Sequence, residues 1–132
     1  MKSTILGFFS VTILALCVSQ SAMAGDVVII SNSGTTISIT EVRDIFIGEK
    51  QFSGNTKLVV IDNKSLQSDF LAKFIKMDAT KYNGIWTKKS FRDGLTPPAV
   101  KSGDAEVTEY VRQTPGAIGY VSKLPEGVNI AR

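Results

Sequence analysis

Apolar residues along this chain follow two rhythms. Short unbroken runs rich in Val and Ile, bounded by polar turn formers, occupy residues 26–31, 57–62 and 117–122. Runs of this kind read as buried strands, and residues 128–131 read as a fourth. Between them, apolar residues recur every three or four positions, the spacing of a helix face. Thr40 is placed to N-cap a short helix carrying Val42, Ile45 and Phe46, which Gly48 stops. Leu66, Phe70, Phe74 and Met77 form a longer stripe that begins after Asn63-Lys64-Ser65. Asp78 or Thr80 caps a segment with Tyr82, Ile85 and Trp86, in which Gly84 costs about 1 kcal/mol against alanine. Asp104 caps a last helix with Val107, Tyr110 and Val111. Residues 51–56 read as a polar connection, and Thr96-Pro97-Pro98 as a break in regular structure.

The order of elements is β-α-β-α-α-α-β-β. Strands separated by helices favour parallel pairs joined by crossovers. The expected fold is α/β, with helices on both faces of a mixed, mostly parallel sheet. Trp86, the one tryptophan, lies on an apolar stripe and is expected to be buried. In Thr114-Pro115-Gly116-Ala117, proline followed by glycine suits a type II turn, which needs a positive φ at Gly116.

The first residues read as an export signal. Lys2 supplies a basic start, residues 5–18 an apolar stretch, and Ala22-Met23-Ala24 an A-x-A cleavage site. The apolar run is shorter than the ~20 residues a membrane span needs. Residues 1–24 are therefore a signal peptide, and residues 25–132 one domain secreted through the Sec pathway into the periplasm. The single cysteine, Cys17, lies in the leader, so the exported domain has no disulfide and stands on its hydrophobic core. The net charge of +3 is mild. No run of five basic residues occurs, which argues against nucleic-acid binding.

Much chemistry is excluded. The chain has no histidine, and so lacks the usual general base and the commonest metal ligand. With no cysteine beyond the leader, zinc sites and thiol nucleophiles are out. Neither G-x-S-x-G nor a phosphate-cradling P-loop is present. Glu106 and Glu109, three apart on a helix, read as a solvated face. A non-enzymatic protein without cofactor or metal is the expectation.

Two places carry candidate binding chemistry. Asn63, Lys64, Ser65 and Ser68 sit where a strand turns into a helix, whose first N–H groups are unpaired and partly positive. They could hold a small anion. The structural alternative makes Ser65 an N-cap and Asp69 a carboxylate complementing the helix dipole. A second cluster places Lys88, Lys89 and Arg92 beside Trp86 and Phe91, ahead of Gly94. It faces an anion or a partner, or else is a packed pair of aromatics ringed by solvated charges.

Several segments in order carry a family resemblance: EVRDIFIGEK (41–50), KLVVIDNKSLQSDFLAKFI (57–75), IWTKKSFRDGLTPP (85–98) and EVTEYVRQTPGAIGYV (106–121). Together they resemble the phosphate-binding proteins of ABC transporters, and in particular small stand-alone relatives that keep one lobe of the two-lobed fold. The resemblance implies a solute-binding-like protein whose ligand is phosphate or another small anion. Lobes of that family place an arginine and Ser-Gly-Thr after the second strand. This chain reads Asp62-Asn63-Lys64-Ser65-Leu66-Gln67 there, with Ser65 and Ser68 as the remnants. A single lobe also offers half of the contacts. The resemblance thus implies weak anion binding, with a homodimer or membrane-protein partner to complete the site. The alternative is a ligand-free module that docks on a membrane sensor, transporter or secretion component.

Overall fold

A computed structural model describes residues 26–132. The expected leader and its cleavage site lie outside the described residues. The strands are β1 (Val28–Asn32), β2 (Phe52–Ser53), β3 (Thr56–Lys57), β4 (Val59–Asn63), β5 (Ala99–Lys101), β6 (Ala117–Val121) and β7 (Val128–Ile130). The helices are α1 (Val42–Phe46), α2 (Gln67–Phe70), α3 (Ala79–Asp93) and α4 (Asp104–Gln113). A one-turn 3-10 segment (Ile39–Glu41) leads into α1, and a π turn (Leu71–Ile75) extends α2.

Five strands form one sheet in the order β5-β4-β6-β1-β7. β4 runs parallel to both β5 and β6, whereas β1 is antiparallel to β6 and β7. Four of the five strands therefore point the same way, and β1 alone opposes them. The sheet is mixed and mostly parallel, as the alternation of strand and helix patterns predicts.

Strand alternation sends side chains to two separate cores. From β6, Ile118 and Tyr120 join Phe46, Phe70, Ile75, Tyr82 and Trp86 on the face covered by α1, α2 and α3. Ala117 and Val121 face the other way, with Ile30, Ile61, Val107 and Val111, under α4. Gly119 lies between them because α4 presses close: a Cβ there would stand 2.8 Å from Val107 Cγ1. On the first face the Phe70 and Tyr120 rings stack at 3.9 Å, and the Phe46 ring meets Phe70 edge-on at 4.6 Å. Trp86 is buried, as expected, and donates its indole N–H to the Phe46 carbonyl at 3.0 Å.

Local signals differ from the sequence reading in four places. Ser38, not Thr40, caps the first helical segment, because Glu41 three residues on returns its carboxylate to the Ser38 N–H and closes a capping box. The polar connection at 51–56 is a hairpin, with Phe52 opposite Lys57 across the tight turn at Gly54. The proline break is followed at once by β5, a short edge strand that pattern alone hides. Gly103 is the N-cap position of α4, and Asp104 sits one residue inside the helix. Asp78 caps α3 through the Lys81 N–H. Gly116 has φ +82°, the positive value that the Thr-Pro-Gly turn requires.

Candidate functional site

The parallel strands β4, β5 and β6 end on one edge of the sheet. There β4 turns into α2, β5 into α4, and β6 into the 122–127 loop. Loops at the carboxyl ends of parallel strands are where open α/β sheets collect ligands. The residues at this edge belong to Asn63, Lys64, Ser65, Ser102, Asp104 and Ser122.

Asn63 organises the edge. It is fully buried, and its amide donates to Asp104 Oδ1 and to the Tyr120 carbonyl, both at 2.9 Å. Its carbonyl oxygen accepts the Ser65 N–H at 3.1 Å and the Ser65 hydroxyl at 2.7 Å. This Asx turn bends the chain after β4. It also takes Ser65 away from the capping role: the N-cap position of α2 is Leu66, which offers no side-chain cap. The Lys64 N–H meanwhile donates to the Lys101 carbonyl at 2.9 Å, tying the turn to the end of β5.

The four predicted residues are brought to one turn but do not share one environment. Asn63 points inward and is spent on internal bonds, while Lys64, Ser65 and Ser68 are exposed. The first N–H groups of α2, at Gln67, Ser68 and Asp69, open beside them without a cap.

The neighbouring helix start is closed. Asp104 Oδ2 accepts the Ser122 N–H at 3.0 Å and the Ser122 hydroxyl at 2.5 Å. Burial works against its charge, but the bonds from Ser122 and Asn63 outweigh this and hold the carboxyl below its usual range. Glu106 Oε1 takes the N–H and hydroxyl of Ser102. The start of α4 thus carries its own carboxylates, as a helix N-terminus favours.

Beneath this edge lies a polar group that pattern reading passed over. Asp62 is buried, and accepts the Tyr82 hydroxyl at 2.9 Å and the Tyr120 hydroxyl at 2.8 Å. Burial pushes its carboxyl up, and pushes both phenols well above their usual range. The three residues form a satisfied interior network linking β4, α3 and β6. A hint was present in the sequence: alternation along β6 places Tyr120 on the same face as Ile118, where a phenol needs an internal partner.

The second predicted cluster divides. Lys89 turns toward the end of α1 and pairs with Glu49 at 2.6 Å. Lys88 and Arg92, four residues apart, stay exposed on the outer side of α3 beside Phe91, which is 85 % exposed. Trp86 and Phe91 therefore part company, one in the core and one in solvent.

Among the described residues, no group of His, Cys, Asp or Glu is arranged to hold a metal ion, and no helix is long and apolar enough to cross a membrane.

No protein-family model matches the chain, and a search of curated proteins gives no match. Solved structures do. A Clostridium perfringens structure assigned to phosphate ABC transporter substrate-binding proteins, with phosphate bound, aligns at TM-score 0.52 and 14% identity, over 81% of this chain and 44% of that one. An ABC-type phosphate transport receptor from Vibrio cholerae aligns at 0.50 and 13%, over 81% and 45%. PstS from Borrelia burgdorferi aligns at 0.53 and 20%, over 88% and 54%. The chain spans about half the length of these structures. The likeness is one of fold: this domain has the architecture of one lobe of a periplasmic binding protein.

Proposed function

We propose that the protein is a periplasmic, non-enzymatic, single-lobe solute-binding-like protein that holds phosphate or a similar small oxyanion weakly at the turn into α2. The uncapped start of that helix, ringed by the exposed side chains of Lys64, Ser65 and Ser68, carries this reading. Lys64 supplies charge, the Ser68 hydroxyl and the first N–H groups of α2 supply directed bonds, and Asn63, which takes the Ser65 hydroxyl proton, holds the turn in shape. Fold neighbours described as phosphate-binding or phosphate-transporting proteins support the ligand class.

Weakness follows from the same geometry. The start of α4 already holds Asp104 and Glu106, whose charges oppose an anion, and a lone lobe leaves one side of the ligand in water. A homodimer or a membrane-protein partner would supply the missing side. A Kd of about 1 mM corresponds to roughly 4 kcal/mol, in keeping with a few exposed contacts. Titration of phosphate and sulfate, followed by backbone amide shifts, tests the reading. Shifts should centre on residues 64–69, weaken with added salt, and diminish in Lys64→Ala. No shift there at tens of millimolar phosphate would refute it.

A second reading, a docking module for a membrane sensor, transporter or secretion partner, rests on Lys88, Phe91 and Arg92, because aromatic and arginine side chains anchor interfaces. It predicts no anion binding, and loss of partner capture in Phe91→Ala.

A further inference from the structure

At the opposite end of the sheet the β4-β5 ladder fails. β5 pairs with β4 only from Ile61↔Ala99 onward. Continued backwards, the register would set Pro98 beside Val60 and Pro97 beside Val59. Neither proline has an N–H to donate, so the strand cannot extend. The edge at Val59 and Val60 is left beside a cleft of about 330 Å³, bounded by the 94–99 segment as it crosses from α3 to β5. That volume lies at the lower end of the ~300–1,000 Å³ typical of small-molecule sites.

The chemistry of its lining is one-sided. Trp86, Tyr110, Pro97 and Pro98 give flat apolar surfaces, and no Asp or Glu lines it. The charged residues that do are Lys50 and Lys57. Lys50 is held by Glu41 at 2.9 Å, whereas Lys57 is exposed and makes no ion pair among the described residues.

We infer that this cleft is a second binding site, for an organic anion with a flat apolar body, such as an arylalkyl carboxylate. The body would pack against Trp86 and the two prolines, and the carboxylate would meet Lys57 at the mouth. The site lies across the sheet from the turn at Lys64, and does not depend on phosphate binding there.

Trp86 is the only tryptophan of the chain and lines the cleft, so its emission reports occupancy directly. The probe is phenylbutyrate, with uncharged phenylbutanol and inorganic phosphate as comparisons. Phenylbutyrate should change Trp86 emission saturably at about 1 mM, a reasonable affinity for a ligand of this size. Phenylbutanol should bind about 3-fold more weakly, the scale of one exposed ion pair. Phosphate should leave the emission unchanged. Lys57→Ala should bring phenylbutyrate down to the phenylbutanol level without altering phenylbutanol binding. Ala99→Phe, at an exposed lining position, should block both organic probes. An emission change with phosphate alone would point to the Lys64 turn instead and overturn the assignment. So would no saturable change up to about 10 mM phenylbutyrate, or equal binding of acid and alcohol.

Discussion

Replacing Gly116 by alanine should be among the most damaging single-methyl additions in this protein. Two independent penalties meet at the position. Its φ of +82° is a left-handed value that costs an L side chain roughly 1–2 kcal/mol. A Cβ there would also lie 2.2 Å from the Lys57 carbonyl oxygen and 3.1 Å from Thr56 Cγ2. The nearer atom is backbone, so no rotamer change relieves the contact. The segment must shift, and the bonds on either side of it shift too: Val59 N–H to the Gly116 carbonyl at 2.9 Å, which seats β4 beside β6, and Gly116 N–H to Thr35 Oγ1 at 3.2 Å, which ties the turn to the loop after β1. Overpacking and a weakened buried hydrogen bond bring the total to about 3–5 kcal/mol. Gly54 provides the control. Its φ is +62°, and nothing lies within 4 Å of its would-be Cβ, so Gly54→Ala carries the backbone penalty alone. Urea unfolding of wild type, Gly54→Ala and Gly116→Ala gives the three stabilities. Gly116→Ala should be less stable than Gly54→Ala by at least about 2 kcal/mol. Agreement within about 0.5 kcal/mol would refute the clash and leave φ as the whole effect.

Trp86→Ala should cost about 3–5 kcal/mol in the same unfolding assay, as truncations of buried aromatics do. A cost under about 1 kcal/mol would contradict the burial of the indole and its bond to the Phe46 carbonyl. Asp104→Asn should change the acid limb of stability. A carboxyl whose folded value is depressed contributes stability above its unfolded value of 3.8, and that stability is lost as pH falls through the folded value. The advantage of wild type over Asp104→Asn should therefore be full at about pH 6 and shrink toward about pH 3. An advantage that stays constant over this range would refute the assignment. The difference between the two proteins is the quantity to follow, because Asp62, raised by burial, changes stability with the opposite sign.

The large elements were legible because each announces itself within a few residues. Ile29 and Ile30 in β1, the stripe through Phe70, and the Thr-Pro-Gly turn before β6 carry periodicities or backbone demands that tertiary contacts do not reverse. What escaped depends on distant partners. β5 is three residues long, and two of them are exposed. It exists as a strand because β4 offers an open edge, which no local pattern reveals. Ser65 looked like a cap because serine so often is one, yet a buried asparagine two residues earlier competes for the same hydroxyl and wins. Asp62 stood at the end of a strand, where a carboxylate usually meets water. Tyr82 and Tyr120, 20 and 58 positions away, turn it into an interior acceptor. Asn63 to Ser68 fall on one turn between β4 and α2, as the strand and helix patterns imply. The division of its residues between inward and outward roles was invisible, because it depends on Asp104 and Ser122 arriving from another helix and another strand.

The two ends of the sheet show how one short strand shapes both. At its carboxyl end β5 hands the chain to α4, and Asp104 is drawn into bonds with Asn63 and Ser122 that close most of the edge. On the proposed reading, an anion there would meet the groups this closure leaves outside, Lys64, Ser68 and the first N–H groups of α2, against the first-turn carboxylate of Asp69. At its amino end β5 cannot grow past Ala99, because Pro97 and Pro98 cannot continue the ladder. The unpaired stretch of β4 becomes the wall of a cleft with no carboxylate in it. A domain of this size buries its apolar surface with little to spare. A cleft beside Trp86 is therefore a cost to packing, and the same two prolines that keep it open provide much of its flat lining. Substitutions that let the ladder extend, such as Pro97→Val, should accordingly oppose occupancy of the cleft while leaving the turn at Lys64 unaltered.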